Sequence, residues 1–394
     1  MKKSLFTVLI MALLLASPGL SANAAPTTMK DVANHWAKSA IEKAVSTGYV
    51  AGYPDNTFKP NNKISRAEFI KMVDVAFGYQ PKATGGSWYR PYADLAITYG
   101  IHDEADFKDY TQNITRLEIM RIVSRALGTQ KSYHAYLDSL SGLYNGDIPF
   151  TDYKSLASKD IKLVALAIGS QVVSGYADNS LGLKLPATRA EAVVMIERAL
   201  EVSKKEATSF PFLKEFQEVS KTGTNATSVS PFTFYEGVNL SNKPLAIQHP
   251  KFTGSLKRVY VIPAKAKSIF EKKFLWNKEE FAKEYFAGVG GYVFGVLDIT
   301  AKSNIDNNTI QQIQVIPSGL YDFQKSRSKY GFEIAYPDKL TKYAQGAKFE
   351  LVVAGYYGDK ASDSFDDHII LQTSNATSGS YYYVMEESSE GQGT

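Results

Sequence analysis

The chain has no cysteine among its 394 residues. That excludes a disulfide framework, thiolate metal sites and thiol nucleophiles. Histidine is scarce as well. His35, His102, His134, His249 and His368 are the full set, and none forms a His-x-x-x-His or similar metal pair. No long apolar run follows the first twenty residues; a membrane span needs about 18. Charge of one sign is also missing: the net charge is +4, with 20 basic and 18 acidic side chains over residues 25–200 and 22 of each over 201–394. Neither half has the cationic excess that binds nucleic acid. No metal and no cofactor is expected.

The amino terminus carries an address. Lys2 and Lys3 precede an apolar stretch from Leu5 to Ala16, followed by Pro18, Gly19 and Ala22-Asn23-Ala24. Basic, apolar and small-residue regions in that order make a secretory signal peptide over residues 1–24. A chain of this length can bury adequate cores without disulfides, in two or three domains.

Internal repeats dominate the first half. "ISRAEF" at Ile64–Phe69 recurs as "ITRLEI" at Ile114–Ile119 and "ATRAEA" at Ala187–Ala192. With Arg66, Arg116 and Arg189 aligned, apolar residues fall at offsets +4, +7, +10 and +11 in each copy. This is one face of an amphipathic helix. Ser65/Glu68, Thr115/Glu118 and Thr188/Glu191 have the spacing of a capping box, in which hydroxyl and carboxylate satisfy free N–H groups at the helix start. Gly78 and Gly128 stand where the first two helices should stop, and Glu201 takes that place in the third.

An earlier helix precedes each capped one. Trp36, Ala40, Ile41, Ala44 and Val45 repeat as Trp88, Tyr92, Ala93, Ala96 and Ile97, with Gly48 and Gly100 as stops. In the third copy Val164, Ala167 and Ile168 keep the apolar face, but Lys159 stands near the tryptophan position. The turn "GYPDNTF" (Gly52–Phe58) returns as "GYADNSL" (Gly175–Leu181), and the middle copy lacks it.

These units resemble S-layer homology (SLH) repeats. The first copy has Asp31-Val32, His35-Trp36-Ala37, Gly52-Tyr53-Pro54-Asp55 and Ser65-Arg66-Ala67-Glu68. The resemblance covers roughly residues 29–201. It implies a pseudo-threefold α-helical bundle of three repeats with grooves between them. It also implies a partner, secondary cell-wall polysaccharide, often bound through a pyruvate ketal, and a place on a Gram-positive wall. Repeats are expected at 29–78, 84–128 and 150–201, with an insertion at 129–149.

One feature resists a purely local account. An arginine one residue inside each helix start opposes the helix dipole, at a cost of roughly 0.3–1 kcal/mol. Two readings are open. Free N–H groups and a guanidinium fork could together hold a ligand carboxylate; alternatively, Arg66, Arg116 and Arg189 bridge acids of neighbouring repeats. Trp36 and Trp88 could stack on a sugar or belong to the core stripe. Asp31 could line a groove or cap the first helix.

Residues 202–230, rich in Ser, Thr, Lys and Asn, read as a linker, with Phe210, Phe212 and Phe216 suggesting a helix or dock at its start. From 231 to 394, short aromatic and β-branched runs between turn clusters predict a mainly antiparallel β domain. One helix is expected about Lys265–Phe286. Asp363, Asp366 and Asp367 read as a solvated acidic turn rather than a calcium loop. Ser326 and Lys329 match Ser-x-x-Lys without its companion motifs in order. The expectation is a non-catalytic, exported surface protein that other surface-layer proteins could also contact. The alternative is an anchored enzyme acting on polysaccharide.

Overall fold

The computed structural model describes residues 29–82, 86–234, 238–275, 289–310, 313–316, 328–334, 341–358, 368–374 and 379–387. The signal peptide, the acidic turn at Asp363–Asp367 and Ser326 lie outside them.

The first half is helical: α1 (Lys38–Ser46), α2 (Arg66–Ala76), α3 (Arg90–Thr98), α4 (Arg116–Gly128), α5 (Lys131–Ser139), α6 (Ser158–Gly169) and α7 (Arg189–Ser203). Capping boxes close the starts of α2, α4 and α7, each with an extended Ser or Thr and a Glu three residues on. The cap accounts for one N–H of the first turn, and two more are taken by the next unit. Arg66 N donates to Gln112 O, Arg116 N to Leu185 O and Arg189 N to Asn62 O, at 2.9–3.0 Å. The following amides, of Ala67, Leu117 and Ala190, donate to Tyr110 O, Leu183 O and Pro60 O.

The same cyclic order appears in two other sets of contacts. Ile114 N donates to Ile64 O, Ala187 N to Ile114 O and Ile64 N to Ala187 O. Helix α2 packs on α3, α4 on α6 and α7 on α1. The seam between the last unit and the first is therefore built like the other two.

Helix ends differ from the sequence reading in two places. Gly48, Gly78 and Gly100 do take positive φ at stops, but Gly128 lies inside α4. A Cβ there would come within 2.8 Å of Leu137 Cδ1, so this glycine permits close approach of α5. Helix α7 runs past Glu201, which is held by Lys43 of α1 at 2.6 Å.

The segment expected as a linker is structured. Helix α8 (Pro211–Thr222) lays Leu213, Phe216 and Val219, all 0% exposed, against α5 and α6, and α9 (Ala226–Val229) follows. Its aromatic and aliphatic residues recur at helical spacing, and this outweighs the polar composition around them.

The second half is strand-rich: β1 (Phe232–Phe234), β2 (Leu245–Gln248), β3 (Phe252–Pro263), β4 (Val289–Ala301), β5 (Ile305–Asp306), β6 (Ile313–Ile316), β7 (Glu333–Ile334), β8 (Lys342–Tyr343), β9 (Lys348–Gly358), β10 (His368–Ser374) and β11 (Gly379–Glu387). One sheet has the order β2-β3-β4-β9-β7, with β7 and β9 parallel; a second, antiparallel, has the order β1-β11-β10-β6. Within the expected helix at 265–286, only Glu271–Phe274 is helical among the described residues, and 276–288 lie outside them.

The five-stranded sheet is apolar on both faces. Tyr260, Ile262, Tyr292, Phe294 and Val352 join one core with the helices; Val259, Val261, Val293, Leu351 and Val353 face a second. That is why β3, β4 and β9 read as continuous apolar runs rather than alternating ones. The two halves share a core.

Candidate functional site

The three arginines point into the next unit. Arg66 Nη1 donates to Asp109 O at 2.9 Å and Nη2 to Glu118 Oε1 at 2.7 Å, over the Phe107 ring. Arg116 reaches Leu181 O, Ser174 O and Glu191 Oε1, over Tyr176. Arg189 reaches Phe58 O and Ala51 O, between the rings of Tyr53 and Phe58. The dipole cost at each helix start is thus offset by turn carbonyls of the next unit and, for Arg66 and Arg116, by its capping glutamate. At the starts of α2, α4 and α7 the first amides are engaged as well. Arg116 and Arg189 are buried, and Arg66 is half-buried, its Nε without a partner among the described residues.

Asp31 binds the backbone of its own unit. Its two oxygens accept Phe58 N and Lys59 N, each at 2.8 Å. Slight burial works to raise its pKa, but these amides outweigh it and hold the carboxyl below the ordinary value. Asp152 does the same in the third unit, accepting Leu181 N and Leu183 N. Its sequence signal is Thr151-Asp152-Tyr153, at the place of Asp31-Val32, where the Asp alone is shared.

Both tryptophans are exposed, Trp36 to 66% and Trp88 to 55%. Each lies two residues before its helix, so the predicted core stripe began one turn too early. The turn at Trp36 is pinned: His35 Nδ1 accepts Ala37 N at 3.2 Å, and Nε2 pairs with Asn61 Oδ1 at 3.3 Å. Lys71 of α2 lies 5.8 Å from the Trp88 ring and 5.6 Å from that of Tyr92. At the seam of α4 and α6 Lys159 joins Asp106, which Arg125 also binds, while Asp160 accepts from Arg121 with both carboxylate oxygens at 2.7 Å. Ion pairs fill this seam where the other two present an indole.

Beside Trp36 runs a groove with a cavity volume of about 990 Å³. Helices α1 and α7 form one side, and Ser174, Gly175 and Tyr176 of the third unit's turn another. Lys43 crosses its floor to Glu197 (2.9 Å) and Glu201 (2.6 Å), which raise the lysine pKa, Glu201 most. Arg198 donates to Ser174 Oγ at 3.3 Å. An exposed indole beside hydroxyls, amides and cations is a surface on which a sugar ring can stack and an anionic substituent can pair.

A repeated unit of two helices, the second opened by a capping box and an arginine, defines the class as a tandem-repeat helical domain. Residues 28–70 and 149–193 match the S-layer homology domain, and the chain carries that domain. It is 32% identical over 186 residues to an amylopullulanase of Thermoanaerobacterium thermosulfurigenes, covering 45% of this chain and 10% of that protein. An exoglucanase XynX of Acetivibrio thermocellus is 31% identical over 186 residues, covering 45% and 16%. A cellulosome-anchoring protein of the same species is 46% identical over 48 residues, covering 12% and 11%. The chain thus spans a small part of each of these relatives. Among the described residues, no helix is long and apolar enough to cross a membrane.

Proposed function

We propose that this is an exported surface protein, held non-covalently on the cell wall by three SLH units about a pseudo-threefold axis. The middle unit, 84–128, is included because its capped helix, its arginine and its seams take part in the same cyclic contacts. The ligand is secondary cell-wall polysaccharide, with a pyruvate ketal as the anionic substituent, and Trp36 and Trp88 are its stacking surfaces. Arg66, Arg116 and Arg189 hold each unit to the next and so set the groove walls, and Arg66 is the most accessible of them to a ligand. Asp31 holds the backbone of the first unit's turn at Phe58 and Lys59.

The observation that carries this reading is the exposure of both indoles, with the turn at Trp36 pinned by His35. Relatives named as cellulosome-anchoring and surface-layer proteins support an anchoring role. The names amylopullulanase and exoglucanase do not bear on the second half, because the alignments cover only 45% of this chain. The test is sedimentation of the full chain with purified Gram-positive walls, before and after mild acid removal of the ketals. Binding that requires the ketal and is lost in Trp36→Ala supports the reading. Equal binding by the variant at every wall concentration overturns it.

A further inference from the structure

The groove beside Trp36 does not end where the repeats end. Its lining continues past Val194, Arg198, Glu201 and Val202 on α7 to Lys205, then to Phe212 of α8, and finally to Ile269 and Lys272 of the strand-rich half. Val194, Arg198 and Glu201 lie three or four apart on one face of α7, so 194 to 202 makes a floor about 12 Å long. That floor is longer than a single stacked sugar needs.

Its charges are distributed unevenly. At the Trp36 end, Lys43 is neutralised by Glu197 and Glu201. Elsewhere on the same lining, Lys205 and Lys272 are exposed and have no acidic partner among the described residues. Arg198 also lines the cavity and, among the described residues, donates to a serine hydroxyl alone. The indole and the free cations thus face one continuous cavity.

We propose that the strand-rich half completes the polysaccharide site. Lys205 and Lys272 form a second anion subsite, which takes a further negatively charged residue of the same wall polymer whose first residue stacks on Trp36. This rests on the anchoring reading and extends it: the ligand is a polyanionic glycan several residues long, read by both halves of the chain. Lys272 comes from a segment outside the repeats. A repeat domain lacking the second half would hold the polymer at the indole but lose the second contact.

The experiment uses the full chain and soluble, ketal-bearing wall polysaccharide. Affinity is measured at 50 and 300 mM salt for the native protein, Trp36→Ala, Lys205→Gln/Lys272→Gln and Lys272→Glu. Both lysines are exposed, so unchanged melting temperatures are the control for folding. The double variant should bind roughly 5- to 30-fold more weakly at low salt, with a shallower salt dependence, and Lys272→Glu should be weaker than a neutral replacement. Short fragments of the polymer carrying one anionic residue should not distinguish the double variant from the native protein. If the double variant keeps native affinity and salt slope while Trp36→Ala loses binding, the second subsite is refuted and the anchor reading stands. If neither variant changes binding, both fall together.

Discussion

Arg66 Nη2 lies 2.7 Å from Glu118 Oε1, so the arginine that opens one capped helix is paired with the glutamate that caps the next. Glu118 Oε2 meanwhile accepts Thr115 N. A helix cap and an inter-unit contact are therefore one network. Arg66→Ala should lower folding stability by about 1.5–3 kcal/mol, the range for a charge-assisted hydrogen bond. Arg66→Lys should restore only part of it, because a point charge cannot also reach Asp109 O. Thermal melts of both variants check this; native melting of Arg66→Ala would show that the pair holds nothing.

Trp36 should behave in the opposite way. It is 66% exposed, so Trp36→Ala should leave the melting temperature within a degree or two. Wall affinity should fall by about 2 kcal/mol, roughly thirtyfold in Kd. Paired melts and binding isotherms separate this from the arginine variants, and early melting of Trp36→Ala would assign the ring to packing.

The insertion at 129–149 binds the second half. Asp147, 0% exposed, accepts Arg258 Nε at 3.0 Å, Arg258 Nη2 at 3.2 Å, the Tyr260 hydroxyl at 2.5 Å and Tyr144 N at 2.8 Å. Lys273 is also fully buried there, on Gly146 O. Asp147→Ala should cost about 3–5 kcal/mol, because it leaves the Arg258 charge buried and unpaired. Adding Arg258→Met should recover part of that loss. A double-mutant cycle by denaturant unfolding gives the coupling, and additive losses would mean the pair does not join the halves.

Fragments follow from the same shared core. Residues 29–203 lack α8 and so uncover the surface that Leu213, Phe216 and Val219 bury. At about 1.5–3 kcal/mol for each such side chain, this fragment should be poorly folded, and 29–230 markedly more stable. Circular dichroism melts of the two decide it; equal melting temperatures would make α8 dispensable.

One buried acid predicts a pH dependence. Asp74 is 0% exposed with no hydrogen-bond partner among the described residues, and burial pushes its carboxyl up to about 8 from 3.8. The folded value lies above the unfolded one, so its contribution is fully present below about pH 4 and is lost as pH rises through 8, by up to roughly 1.4 kcal/mol per unit. Asp74→Asn should flatten that decline in melts taken between pH 5 and 9. An unchanged slope would show that Asp74 is not its source.

Local chemistry was legible from the chain alone. The Ser/Thr-x-x-Glu spacing fixes three helix starts because a capping box involves only residues three apart. The +4, +7, +10, +11 pattern fixes their buried faces because helical period is local too. The apolar runs of β3, β4 and β9 announced strands for the same reason.

What the tertiary structure decided is where the polar groups point. Nothing in "ISRAEF" tells whether Arg66 meets a ligand or Glu118, because the partner lies 52 residues away and is selected by how the units close on one another. Trp36 and Trp88 matched a core period yet lie outside, since each helix begins two residues later than the spacing alone allowed. Residues 202–230 read as a linker because their polar composition masks one apolar stripe, which has value only against α5 and α6. Asp147 and Arg258, 111 residues apart, show no pattern in sequence, and their pairing exists only because burial makes each charge require the other.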